Sequence, residues 1–280
     1  MASGRLCSDC CDHHKLMRAG VASFFLVVIL LAGCREEAEQ SPPRQAPPGA
    51  ASEQVPQDYS ALFKEIRRGV VHVGMTSVHS KPENIVVDKW LGTAFLVDSN
   101  CTFITAKHIV HDIDKERIAV RFQIPPDFSL IRTLKADLIY EDEEKDLAML
   151  RIFKFGGVPA KSGKLRVLPL APACDRRSLT GESVLIVGHP WLGRGNLDIP
   201  VMRAGIISST QIKWNSRPML LLDLHGVPGF SGSPVILART GEAVGVVFGP
   251  GPTVRAFGFE WATPVSKDFY DAAVRITPGV

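Results

Sequence analysis

Val227-Pro228-Gly229-Phe230-Ser231-Gly232-Ser233-Pro234-Val235 sets one serine between two glycines, with apolar runs on either side at 219–224 and 235–238. Glycine admits backbone conformations that a Cβ disfavours, so the stretch predicts a strand, a tight turn and a second strand. A serine on such a turn is displayed, and the backbone N–H groups around it converge on one point. Acyl transfer needs that pairing: a nucleophilic hydroxyl beside donors aimed at a developing oxyanion. The same residues also suit a plain Gly/Ser/Pro hairpin turn with no chemistry. The choice depends on whether a base and an orienting acid stand elsewhere in the chain.

Working outward, the flanking text is short, β-branched and punctuated by turn signals. Residues 70–75, 91–97, 102–105, 118–122, 134–140 and 147–153 read as one set of strands. Residues 184–187, 201–208, 219–224, 235–238, 243–248 and 256–261 read as a second set. Asp98-Ser99-Asn100 is a hairpin turn, and the Gly/Pro/Lys/Ser loop at 156–164 separates the sets. Two groups of six predict an all-β protein. The expected architecture is two six-stranded antiparallel β-barrels, an N-barrel over about 69–155 and a C-barrel over about 180–266, with a cleft between them. A short helix over 59–68 packs on the domain, which spans 58–280.

Composition is that of an ordinary globular chain: 280 residues, 45% hydrophobic and 22% charged, with a net charge of +3. So even a balance argues against nucleic acid as a partner, and no basic stripe with interleaved aromatics is present. There is no internal repeat and no phosphate-loop glycine pattern.

The N-terminus reads as an export signal. Residues 21–32 are a twelve-residue apolar run preceded by Lys15 and Arg18. That is short for a membrane span and has the length of a signal-peptide core. It ends in Leu31-Ala32-Gly33-Cys34, which resembles the lipobox of bacterial lipoproteins; the resemblance implies cleavage after residue 33 and lipidation of Cys34. Several acyl chains there would hold the protein on a membrane. Arg35 follows, without the aspartate linked to inner-membrane retention, so the expected location is the periplasmic face of the outer membrane. Residues 1–16 fit a signal poorly, and Met17 is the alternative start. Cys10-Cys11-Asp12-His13-His14 is too compressed for one tetrahedral metal site, so no metal is expected. Residues 34–57, rich in Pro, Ala, Gln and Glu, read as a tether. Cys101 and Cys174 remain, and their pairing is left open.

Two stretches supply partners for the serine. Thr105-Ala106-Lys107-His108 ends an apolar strand, and Asp146-Leu147-Ala148-Met149-Leu150 sets an acid at the entry to another. A carboxylate there is costly unless paired. Among Glu141, Asp142, Glu143, Glu144 and Asp146 the last is preferred for that reason, with Asp142 as the alternative. His111 and Asp112 lie close by and are read as bystanders. The order His108, Asp146, Ser231 is that of the chymotrypsin triad.

With these residues in view, the chain from about 70 to 266 resembles a chymotrypsin-fold serine protease, nearest the bacterial trypsin-like peptidases of the HtrA/Deg type. Residues 92–97 (GTAFLV), 184–190 (VLIVGHP), 203–208 (RAGIIS) and 258–265 (GFEWATPV) follow the family pattern in order. The resemblance implies that Ser231 is the nucleophile, His108 the general base and Asp146 its orienting acid. It implies an oxyanion hole from the N–H groups of Gly229 and Ser231, with no cofactor or metal. His225, Val247 and Phe248 fall where the family builds its primary substrate pocket. Three positions depart from the pattern: Phe230 replaces the usual Asn or Asp, Ser233 a glycine, and His189 an asparagine. The chain ends soon after the last matched motif, so no PDZ domain is expected within it. The expected function is an envelope-anchored serine endopeptidase acting on polypeptides. The alternative is a catalytically weak or inactive protease-fold lipoprotein serving as a binding or scaffold module.

Overall fold

The computed structural model describes residues 59–81, 84–124, 130–152, 165–173, 176–191, 199–249 and 258–277. The expected signal peptide, Cys34, the tether and Cys174 lie outside them. Helix α1 (Tyr59–Ile66) is followed by seven strands: β1 (Val70–Thr76), β2 (Val87–Leu96), β3 (Thr102–Ala106), β4 (Ile118–Ile124), β5 (Leu130–Lys135), β6 (Asp137–Asp142) and β7 (Leu147–Arg151). Six more follow: β8 (Ser183–Gly188), β9 (Val201–Trp214), β10 (Arg217–Asp223), β11 (Pro234–Leu237), β12 (Ala243–Val247) and β13 (Phe259–Pro264), then helix α2 (Lys267–Ile276).

The second group closes into an antiparallel six-stranded barrel in the order β10-β13-β12-β11-β8-β9. The first group is a seven-stranded antiparallel sheet in the order β5-β4-β1-β2-β3-β7-β6. Seven rather than six arises at the expected strand 134–140, which is two strands broken at Ala136. Its N–H continues the β4–β5 register by donating to the Ile118 carbonyl (3.0 Å), and its side chain is buried. The two outermost strands, β5 and β6, are therefore consecutive in the chain, so the sheet curls back on itself at a single-residue corner. The architecture is the two-barrel, chymotrypsin-like one, with the second barrel closed by its ladders and the first a curled sheet whose edge strands, β5 and β6, meet in the chain but do not pair.

Side-chain alternation along the strands explains the near-continuous apolar text. In β3, Phe103 enters the core of the first half while Ile104 enters a separate core between the halves. In β7, Ala148 and Leu150 face the first-half core, and Leu147 and Met149 the shared one. Across the molecule Ile186 of β8 and Val235 of β11 fill the second barrel, while Leu185, Val187 and Ile236 meet the shared core. Strands buried on both faces read as unbroken hydrophobic runs. Each large aliphatic side chain buried this way contributes about 1.5–3 kcal/mol.

Both helices cap the shared core. Tyr59, Leu62, Phe63 and Ile66 form the inward stripe of α1, at helical spacing. Helix α2, which the strand pattern did not lead one to expect, starts at Ser266, whose Oγ accepts the Phe269 N–H (3.3 Å). Phe269, Tyr270, Ala273 and Val274 seal the same core. Tyr270 also donates to Asp98 Oδ2 at 2.5 Å, tying α2 to the 98–101 hairpin turn. Asp98 Oδ1 accepts the N–H groups of Asn100 (2.8 Å) and Thr102 (2.9 Å), which makes the turn an Asx type. Cys101 follows with φ 63° and a buried thiol. Among the described residues no helix is long and apolar enough to cross a membrane.

Candidate active site

Sheet register brings the expected base and acid together. Strands β3 and β7 pair antiparallel with Ala106 opposite Leu147, so the chain leaves β3 where it enters β7. One step beyond the ladder, the Lys107 N–H donates to the Asp146 carbonyl (2.9 Å). His108 lies on the 3-10 turn Lys107–Ile109, and both Asp146 carboxylate oxygens converge on it. Oδ1 accepts the His108 backbone N–H at 2.9 Å, and Oδ2 lies 2.7 Å from Nδ1. Asp146 adopts φ 53°, a left-handed conformation that Asp tolerates better than most residues and that turns its side chain back toward the histidine. Its carboxylate is 9% exposed against 41% for the imidazole, so the acid is sheltered while the base faces solvent. With Nδ1 donating to the carboxylate, Nε2 is the nitrogen left to accept a proton.

Three of the neighbouring acids have other cations. Asp142 takes Lys145 Nζ (2.8 Å) and the Lys145 N–H, Glu143 pairs with Lys107, and Glu141 lies 3.6 Å from Lys115 Nζ. Burial opposes ionisation of Asp142, but the Lys145 contacts outweigh it and hold its carboxyl below the usual range. Asp142, the alternative acid, is thus engaged by Lys145, while Asp146 holds His108. His111 is exposed, with Nδ1 3.8 Å from Glu141.

Ser231 stands on the turn between β10 and β11. Gly229 (φ 96°) and Gly232 (φ 83°) both occupy the left-handed region, and at both a Cβ would collide with backbone: the His189 carbonyl oxygen at 229, the Thr93 carbonyl oxygen at 232. The two flanking glycines are thus required by conformation and by space. Four successive carbonyls of the turn are pinned. Pro228 O accepts from the Trp191 N–H (2.7 Å) and Phe230 O from the Ser233 N–H (2.9 Å). Gly229 O accepts from the Thr93 hydroxyl (3.0 Å) and Ser231 O from the Thr93 N–H (2.9 Å). In a trans peptide the N–H points opposite to the C=O. Holding Pro228 O toward Trp191 and Phe230 O toward Ser233 therefore turns the Gly229 and Ser231 N–H groups the other way. Neither donates to an acceptor among the described residues.

The serine and the histidine are linked through β12 and the residues after it. The His108 ring packs edge-on against Phe248, with centroids 5.6 Å apart. Beside it, a Cβ on Gly249 would lie 3.0 Å from Ser231 Oγ. No hydrogen bond joins His108 to Ser231 in this form; such contacts commonly tighten only with substrate bound. Of the other expected pocket residues, Val247 is fully buried and belongs to the second-barrel core, while His225 is exposed. Behind them lies Glu260, 1% exposed, whose carboxylate fills the space a Cβ on Gly226 would need.

The three departures from the family pattern have structural roles. Phe230 is 1% exposed and packs in the second-barrel core. Ser233 is fully buried, its Oγ occupying the space left by Gly188. His189 stacks on His72, with rings 4.6 Å apart and 3° from parallel. Trp191 and His72 lie outside the quoted motifs, and Thr93 and Glu260 lie inside them without a role assigned from sequence. Among the described residues no cluster of His, Cys, Asp or Glu has the geometry of a metal site.

Comparison with known proteins agrees with this architecture. The chain is similar to the serine endoprotease DegS of Salmonella typhimurium, 28% identical over 160 residues, which are 57% of this chain and 39% of that protein. To DegS of Escherichia coli K12 it is 26% identical over 168 residues, 60% of this chain and 41% of the relative. It thus spans about two fifths of the length of these relatives. The solved serine endoprotease from Yersinia pestis shares the fold, with a TM-score of 0.55 at 22% identity over 79% of this chain and 67% of that one. The family model for the trypsin-like peptidase domain matches residues 92–246, more than half of the sequence, and the protein belongs to that family.

Proposed function

We propose that this protein is a serine endopeptidase that cleaves polypeptides through Ser231, His108 and Asp146, without metal or cofactor. The observation that carries the reading is the conjunction of a sheltered Asp146–His108 pair with a serine turn whose two free N–H groups are already oriented. Ser231 Oγ attacks the scissile carbonyl while His108 Nε2 takes its proton, and the new oxyanion receives hydrogen bonds from the Gly229 and Ser231 N–H groups. Each such donor contributes about 3–4 kcal/mol to the transition state. The imidazolium, steadied by Asp146 at 2.7 Å, protonates the leaving amine. Water then hydrolyses the acyl-enzyme by the same steps in reverse. Exposed or unfolded polypeptide is the substrate class. The lipobox-like Leu31-Ala32-Gly33-Cys34 supports attachment to the cell envelope by lipid on Cys34.

The test is labelling of the purified mature protein with a fluorophosphonate probe. Labelling that disappears in Ser231→Ala and His108→Ala supports the reading. A second reading, a protease-fold binding module, rests on Phe230 standing where the family has Asn or Asp. A well-folded protein that takes no label and hydrolyses no unfolded polypeptide would establish that reading instead.

A further inference from the structure

Resting on the peptidase reading, the geometry assigns a positioning role to Thr93: its hydroxyl, supplied by the first half, sets the oxyanion donors carried by the second. Thr93 lies in β2 and is fully buried. Its Oγ1 donates to the Gly229 carbonyl (3.0 Å) and accepts the His189 N–H (3.0 Å). Both contacts bear on the donors. The first fixes the peptide between Gly229 and Phe230, which lies between the two peptides that supply the oxyanion N–H groups. The second holds the segment that, two residues later, sends the Trp191 N–H to Pro228 O (2.7 Å), the bond that orients the Gly229 N–H. One hydroxyl therefore acts on the donor geometry from both sides. A single hydroxyl proton makes the assignment directional: Oγ1 gives to the carbonyl and receives from the amide.

The backbone of Thr93 continues the pattern. Its N–H holds Ser231 O at 2.9 Å, and its own carbonyl, which packs against Gly232, accepts the Thr105 hydroxyl at 2.7 Å. Threonine rather than valine at a buried strand position is accounted for by these contacts. Without the hydroxyl, the Gly229 carbonyl and the His189 N–H lose their partner in a buried setting, and the turn is freed to rotate a peptide.

The experiment compares Thr93→Val with Thr93→Ser in the full mature protein. The expected result is a fall in kcat of about 10–100-fold for Thr93→Val with KM little changed, because the donors act on the transition state rather than on bound substrate. Thr93→Ser, which keeps Oγ1 and drops only the methyl, is expected within a few-fold of the parent. Thr93→Val with unchanged kcat overturns the assignment, as does Thr93→Ser with a loss equal to that of valine. The serine variant decides the matter even where valine fails to fold. Amide hydrogen exchange of the 226–233 segment in a Ser231→Ala background gives a readout independent of turnover. Faster exchange with valine and parental exchange with serine supports the assignment, and no change with valine overturns it. A parent that neither labels nor hydrolyses defeats the peptidase reading, while the exchange comparison still judges Thr93.

Discussion

Acidification from pH 7 to pH 5 destabilises the fold by about 2 kcal/mol through His72 alone. The imidazole is 1% exposed and lies in a stack, with Trp90 on one face (4.2 Å) and His189 on the other (4.6 Å). Arg121 covers the far side of Trp90 at 4.2 Å, and His72 Nδ1 has no hydrogen-bond partner. Burial first, then the neighbouring His189 and Arg121, lower its pKa from 6.5 to about 2. Above pH 6.5 the ring is neutral in folded and unfolded chains alike, and its stabilising packing is fully present. Below 6.5 the unfolded chain binds a proton that the folded one refuses, so stability falls with pH until the folded group itself titrates. The slope is about 1.4 kcal/mol per pH unit, which over the 1.5 units from 6.5 to 5 gives roughly 2 kcal/mol. Urea unfolding followed by tryptophan fluorescence at pH 7, 6 and 5 measures it. His72→Phe keeps a ring between Trp90 and His189 but takes no proton, so its loss over the same range is smaller by that amount. Equal acid losses in the two proteins would refute the reasoning.

Three further outcomes are expected. Gly229→Ala forces a Cβ into a left-handed site against the His189 carbonyl, so fluorophosphonate labelling slows at least about 100-fold, the effect of losing one oxyanion donor. Asp146→Asn preserves shape but presents the wrong partner to Nδ1; stopped assays on a denatured substrate should show kcat lower by about 10⁴, the value for the corresponding change in the chymotrypsin template. Phe230→Ala empties a fully enclosed site in the second barrel and costs about 3–5 kcal/mol in urea unfolding.

The parts legible from sequence were those in which local text carries the constraint. His108 and Asp146 border apolar strands because register places them at the open end of the β3–β7 ladder, and Ser231 is marked by the glycines its turn requires. Strand positions were readable because burial on two faces leaves long apolar runs. The corner at Ala136 was not: a single small residue inside an apolar run gives no turn signal, although it changes six strands to seven. Helix α2 was hidden because its signal is a serine cap on a short amphipathic segment just after the last strand. His72 was missed, and the roles of Thr93 and His189 inside their motifs went unread, for a different reason. Their partners lie up to 136 residues away, so nothing in the nearby text shows what they hold. Phe230 stood out as a departure from the family pattern, and burial shows it to be a packing residue.

The shared core between the halves has a consequence for the protein's life before it is folded. Synthesis delivers His108, just after β3, and Asp146, just before β7, long before the serine turn that follows β10. Until β8 and β11 arrive, the inner faces of β3 and β7 have no apolar surface of the second barrel to meet, and the Thr93 hydroxyl has neither Gly229 nor His189 to hold. An incomplete chain therefore carries His108 and Asp146 without Ser231. Docking of the two halves therefore completes the shared core and the Thr93 contacts together, and on the proposed reading no nucleophile stands beside His108 before that.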